Sequence, residues 1–407
     1  MKDQPAVSGG IPVRQNKSWP SWPIVTEKEW EADIEPKMRE VYLSRNEGIS
    51  GSKATEFSQL YARYTGTAYA TFMPHGTDSI SAALAGTLDL DGLGEGGEVI
   101  VPNYTFVATA SAVLDQRCTV AFVDVDADNF TINPADIEEA ITDRTRAIVV
   151  VHLGGHPANM EAIKQIAQRH NLKIIEDCAQ AHGAESHGQK VGSLGDIGAF
   201  SFQSSKNLTS GEGGMVTTND KESHNLVHAF MNVGRAPDGA RWEYPRLGWN
   251  YRPSEYLAAL LLVRLEKLEE QTDIRNQNAA YLFNELKQIE GITPPKLESW
   301  VTKHGYHLYM MKYNAGGFGK KPRSEFLSAL NAEGIPCSSG YGSPLSKEGG
   351  IKRVAELYPE IIKEFPCPNT ERVCAESVWL FQNILLGSRS DMDDIVEAIA
   401  KIQKAWN

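Results

Sequence analysis

Cysteine is scarce in this chain and unpatterned. Five are spread over 407 residues, at Cys118, Cys178, Cys337, Cys367 and Cys374. None forms a Cys-x-x-Cys pair, so no disulfide framework is expected and a reducing compartment fits. Long apolar runs are missing as well. No stretch approaches the roughly 20 residues that span a bilayer, and the polar start, Met1 to Gly10, has no apolar leader core. A cytoplasmic protein without membrane partners is expected. Blocks of positive charge are absent too. With 40 Lys and Arg against 52 Asp and Glu, the formal charge is −12, which argues against a sequence-independent grip on nucleic acid. An anionic small molecule needs only a few local cations and stays open.

Several catalytic and metal motifs also fail. His152 and His156 are four apart, but Gly154, Gly155 and Pro157 interrupt any helix through them. His224 and His228 have no glutamate in the position that His-Glu-x-x-His requires. Gly211-Glu212-Gly213-Gly214 does not open a helix in the dinucleotide register, and neither a Walker lysine nor a Gly-x-Ser-x-Gly elbow occurs. No metal ligand set is expected. Internal repeats and low-complexity tracts are missing.

What is there is an ordinary globular composition, 41% hydrophobic and 23% charged, sufficient for a sizeable core. Residues 1–30 form an irregular arm, because the prolines of Trp19-Pro20-Ser21-Trp22-Pro23 block a regular helix. Its aromatics are expected to anchor it to the body or to a partner subunit. Helical patterns follow at 27–43 and 54–64. Strand-like runs then appear at 98–101, 120–123, 147–152, 173–177, 198–202 and 215–218, with helix-like segments such as 159–170 between them. That alternation predicts an α/β fold with a mostly parallel sheet. Ligands sit beyond the carboxyl ends of such strands, so Tyr104, His152, Asp177 and Gln203 are expected to converge on one site. From about 253 to 289 one or two long helices are predicted. A strand around 307–313 and helices around 323–333 and 392–406 follow, in a smaller α+β unit. The boundaries are drawn at 31–265 for a large domain and 266–407 for a small one.

The most informative stretch is Gly198 to Gly214. A strand-like run delivers hydroxyls and then Lys206 into a glycine-rich loop. Another run, Leu172 to Glu176, delivers Asp177 and then Gln180. A lysine able to form a Schiff base, paired with an acid that can hold a pyridine nitrogen protonated, is what pyridoxal phosphate chemistry requires. The segment Pro74 to Ile80 precedes a helix-like run, Ser79 to Leu88. There Gly76 permits close backbone approach, Thr77 and Asp78 supply the helix start, and Ser201 adds a hydroxyl, together offering donors for a phosphate. Tyr104 or Phe106 offers an aromatic face for the ring.

Glu176-Asp177-Cys178-Ala179-Gln180-Ala181-His182-Gly183-Ala184, joined to Ser201-Phe202-x-x-x-Lys206, resembles the DegT/StrS family, the fold-type-I sugar aminotransferases. The resemblance runs over roughly 8–405. It implies a seven-stranded, mostly parallel sheet between helices, and a homodimer with composite sites. It also implies roles for residues. Lys206 would carry the cofactor, which alternates between pyridoxal and pyridoxamine phosphate. Asp177 would pair with the ring nitrogen, and Gln180 would lie near the ring hydroxyl. Gly76, Thr77 and Ser201 would hold the phosphate, Phe106 would stack on the ring, and Asn250 would reach the phosphate of the neighbouring subunit. Val7-Ser8-Gly9-Gly10, Tyr306-His307-Leu308-Tyr309 and Ser377-Val378-Trp379-Leu380 resemble the branch that aminates inososes with glutamine in aminocyclitol antibiotic synthesis. Many members carry Ser-Gly-Thr where this chain has His75-Gly76-Thr77, and histidine where it has Ser346; both positions are expected near the acceptor. The expected activity is transfer of an amino group from L-glutamine or L-glutamate to a cyclic polyol ketone, such as scyllo-inosose or 2-deoxy-scyllo-inosose. The alternatives are amination of a nucleotide-linked keto-sugar, a dehydratase, which Lys206 argues against, and a cofactor-bound regulator or scaffold.

Overall fold

The computed structural model describes residues 4–46, 51–90, 96–240 and 242–407. Its centre is an eight-stranded sheet in the order Tyr69–Met73, Gly214–Thr218, Ile197–Ser201, Lys173–Asp177, Thr145–Val151, Glu98–Pro102, Thr119–Val123, Ile362–Glu364. Only Gly214–Thr218 runs against the others, pairing antiparallel with both of its neighbours. Six of these strands lie where the apolar runs put them. Tyr69–Met73 completes the expected seven, and an eighth, Ile362–Glu364, comes from far along the chain to pair in parallel with Thr119–Val123. Three residues of mixed polarity carry no period that a sequence reading can detect.

The interior strands read as continuous apolar runs because both faces are covered. Ile148 and Val150 enter one core with Ile163 and Leu261. Ala147 and Val149, one residue out of phase, enter the other with Ile80 and Leu84. The helix Gly76–Leu88 is rich in alanine and buried along most of its length, which lets it lie close against the sheet. Met160–His170 starts where Asn159 accepts a hydrogen bond from the Ala162 N–H at 3.1 Å, the capping expected of an asparagine at that position. The expected helix over 27–43 is present but broken by a π-helical turn at Trp30–Ile34.

The long helical region divides into Glu255–Leu265 and Leu268–Leu286. Leu261, Leu265 and Leu268 pack into the first core, whereas Ala279, Leu282 and Leu286 join a third. That third core lies between helices and a second, antiparallel sheet of four strands, which includes Leu308–Tyr313 and Ser377–Phe381. The arm is pinned to its last helix, Arg389–Trp406. There Arg14 donates to Asp391 at 2.6 Å and to Asp394 at 2.7 Å, while its guanidinium lies 3.6 Å from the Trp19 ring centroid.

Alternation along Lys173–Asp177 gives neighbouring carboxylates different tasks. Glu176 faces the first core and accepts from the N–H groups of Gly192, Leu194 and Gly195 at 2.8, 2.7 and 2.6 Å. It also accepts from His152 Nε2 at 2.9 Å. Glu176→Ala orphans three buried donors and a half-buried one and is expected to cost about 3 kcal/mol or more, read as a fall in the urea midpoint. An unchanged midpoint would show that water replaces the carboxylate without loss.

Candidate active site

Asp177 points the other way from Glu176, into a cavity of about 910 Å³ between the strand ends and the second sheet. Gly76, Thr77, Phe106, Asp177, Gln180, Ser201 and Lys206 all line it. Asn250 does not; it is exposed, in an isolated bridge to Asn232. Gln203 lines the cavity as expected, but Tyr104 and His152 do not. Strand alternation is the reason for His152: Val151 faces the cavity and His152 the opposite core, where its Nδ1 accepts from the Ala158 N–H at 3.0 Å. Tyr104 lies one layer behind, its hydroxyl 3.0 Å from Ser377 Oγ and its ring edge-on to Tyr341 and Trp379. His75 is at the cavity with its Nδ1 3.1 Å from Glu212. Ser346 is buried against Asn103 and lies outside the lining, against expectation.

At one end of the cavity the helix Gly76–Leu88 begins. His75 gives it no side-chain cap. Its first hydrogen bond back to residue 75 is from Ser79 N–H, at 3.1 Å, so the N–H groups of Gly76, Thr77 and Asp78 have no partner within the helix. A Cβ on Gly76 would lie 2.5 Å from Ser201 Cβ, so only glycine lets the helix start close against that serine. An uncapped helix start beside a serine hydroxyl is suited to an anion such as phosphate.

Asp177 lies at the other end. Its carboxylate accepts from Thr109 Oγ1 at 2.8 Å and from the Ala179 N–H at 3.1 Å. Burial raises its pKa; those two hydrogen bonds and then the charge of Lys206 pull it back. Burial pushes Lys206 down to about 8, with Asp177 opposing the fall. The lysine sits in a tight turn, its N–H donating to Gln203 O at 2.9 Å. Gln180 is fixed from both sides: its Oε1 accepts from the Gly154 N–H at 2.8 Å, and its Nε2 donates to Tyr341 Oη at 3.3 Å. His182, behind Ser201, is held neutral, its pKa lowered to about 4 by burial. Phe106 is 55% exposed at the rim, an aromatic face open to a ligand.

Other lining residues escape a sequence reading. Trp22 comes from the arm, and its indole N–H donates to Lys206 O at 3.1 Å. His307, Tyr341, Gln382 and Asn383 come from beyond the first sheet. The only signals are the anchoring role expected of the arm's aromatics and the branch resemblance around His307; that these residues reach this cavity depends on how the arm and the two sheets pack.

The chain is similar over its length to known proteins. Residues 29–400 match the model of the DegT/DnrJ/EryC1/StrS aminotransferase family. The chain belongs to this family. It is 36% identical over 425 residues to an L-glutamine:2-deoxy-scyllo-inosose aminotransferase of Streptomyces paromomycinus, covering 98% of this chain and 97% of that one. Among solved structures it resembles an aminotransferase from Psychrobacter cryohalolentis, with a TM-score of 0.85 and 31% identity over 96% of this chain and 100% of that one. It also resembles 3-amino-5-hydroxybenzoic acid synthase, with a TM-score of 0.83 and 27% identity over 95% and 98%. The chain is an aminotransferase.

The Lys206 amine should titrate with a midpoint near pH 8 in the cofactor-free protein, measured by pH-dependent amine labelling with mass-spectrometric readout at this residue. Asp177→Asn removes the charge that holds the value up, so the midpoint must move lower. A midpoint near 10, unmoved in the variant, would mean that Lys206 is an ordinary solvated lysine.

Proposed function

We propose that the chain is a pyridoxal phosphate-dependent aminotransferase that moves the amino group of L-glutamine to a cyclic polyol ketone of the 2-deoxy-scyllo-inosose kind. The observation that carries the proposal is the convergence of Lys206, Asp177 and the uncapped helix start at Gly76 on one cavity. These residues fit the cofactor by their chemistry: an amine with a lowered pKa, a carboxylate held in one orientation, and oriented donors for a phosphate. Bound there, the cofactor supplies an electron sink and a temporary carrier for the amino group.

The remaining chemistry belongs to the protein. Lys206 Nζ, neutral in part near pH 8, is the base that moves the proton on the substrate carbon. Asp177, oriented by Thr109 and Ala179, holds a protonated ring nitrogen. Gln180, immobilised between Gly154 and Tyr341, takes the ring hydroxyl. Phe106 would cover the ring face, and Gly76, Thr77 and Ser201 would take the phosphate. Trp22 ties the arm to the Lys206 loop, its indole N–H donating to the Lys206 backbone oxygen. The inosose acceptor is supported by the full-length similarity to enzymes named for it.

The exposed Asn250 belongs, in this proposal, to the phosphate site of a second copy. The preceding loop carries the exposed apolar side chains Trp242, Tyr244 and Leu247, which suit a subunit contact. Mixing an inactive Lys206→Ala chain with an inactive Asn250→Ala chain should restore about a quarter of the activity, since one intact site forms in the mixed dimer. No restoration from two folded dimers that exchange subunits would put Asn250 outside the neighbouring subunit's site.

Addition of L-glutamine to the cofactor-loaded protein should bleach its visible absorbance band, and a cyclic polyol ketone should restore it. Lys206→Ala should lose more than about a thousandfold in turnover. Restoration by a nucleotide-linked keto-sugar but by no free polyol ketone would overturn the assigned acceptor.

A further inference from the structure

Arg275, on the helix Leu268–Leu286, is fully buried and yet has no carboxylate partner among the described residues. Burial is the sole influence on its pKa, lowering it to about 9, so the guanidinium stays charged at neutral pH. Its Nε donates to the Gln382 backbone oxygen at 3.3 Å, and Nη2 donates to the Gln382 side-chain oxygen. Nη1 is buried without any partner among the same residues. The guanidinium carbon is 5.3 Å from the Trp22 ring centroid. An unneutralised buried cation is costly, and this one lies directly behind two residues that line the active-site cavity, Gln382 and Trp22.

The contact fixes Gln382. Both of its oxygens face a cation, so flipping the amide would set N–H against N–H. Its Nε2 must therefore face away from Arg275. That atom has no protein partner among the described residues and is not among the fully buried orphans, and Gln382, though itself buried, lines the cavity, the side on which its two donors are free to meet a ligand. Nearby, the tautomer of His307 is fixed as well. Asn207 Nδ2 donates to Gly305 O at 2.6 Å, so its Oδ1 accepts from His307 Nδ1 at 3.2 Å, which leaves His307 Nε2 as an acceptor. This wall thus offers a fixed donor, a fixed acceptor and a positive charge one layer back.

A ping-pong aminotransferase faces a particular demand: one cavity must hold the charged α-carboxylate of an amino acid and then a neutral polyol. We propose that Gln382 is a specificity-determining residue, whose Arg275-oriented amide donors take the α-carboxylate of the amino donor in one half-reaction and a ketone-substrate hydroxyl in the other. Arg275 is its positioning residue. It attracts the carboxylate through Gln382 without offering an ion pair that a neutral polyol would leave empty. The inference rests on the proposed function.

The test uses the cofactor-loaded enzyme and Gln382→Met, which keeps the volume and removes the donors, together with Gln382→Glu, which keeps the Arg275 contact and neutralises its charge. In both, the L-glutamine concentration that half-bleaches the visible band should rise by about tenfold or more. KM for the ketone should rise too, while the rate at saturation stays within about threefold. A purely structural residue would instead lower the rate or the melting temperature. Unchanged half-bleaching in Gln382→Met overturns the inference. If the unmodified enzyme responds to no amino acid, the proposed function fails instead. Calorimetric binding of glutarate, a carboxylate with no amine, then decides the inference separately. Weaker binding to Gln382→Met than to the unmodified protein upholds it; equal binding, or none to either, overturns it.

Discussion

Two adjacent carboxylates on one strand, facing opposite sides of a sheet, are the constraint on which the site depends. Glu176 gathers three loop N–H groups and an imidazole under the sheet. Asp177 looks out on the other side, held by a threonine hydroxyl and a backbone N–H. The first fixes the strand end in place, and the second uses that fixed position. A strand has period two, so a slip of one residue would exchange them. The acid would then point into a loop, and the structural brace into the cavity.

Burial is the second theme of the site, and it acts on opposite charges in complementary ways. The same burial lowers the pKa of Lys206 and raises that of Asp177, while each partly cancels the effect on the other. The lysine is left near the point where it can both give and take a proton. The histidines around it, His182 and His307, are pushed neutral by the same burial. They serve as fixed hydrogen-bonding groups rather than as charges.

The second sheet supplies the wall that faces the substrate. Its strands Leu308–Tyr313 and Ser377–Phe381 bring His307, Trp379 and Gln382 over the strand ends of the first sheet. The arm closes the same region, tying Trp22 to the Lys206 loop and Arg14 to the last helix. One part of the chain therefore carries the reacting groups, and the other shapes what reaches them.

Local chemistry makes much of this legible from the chain alone. Apolar runs ending in Asp177 and preceding Lys206 are short-range patterns, and strand ends in a parallel sheet must share an edge. Hence Gly76, Thr77, Phe106, Asp177, Gln180, Ser201 and Lys206 stand out in the amino-acid sequence itself, and all line one cavity. Tyr104 and His152 fall outside it because following a strand end does not decide which side a residue faces. The eighth strand, the Trp22 contact and the Arg275–Gln382 pair join residues more than a hundred positions apart. No local period encodes such pairings; they exist only once two sheets and an arm have packed together. Local pattern is enough to mark the reacting groups and the edge of the sheet where they meet. Tertiary packing alone decided which side chains surround them, because burial and long-range approach are properties of the whole fold.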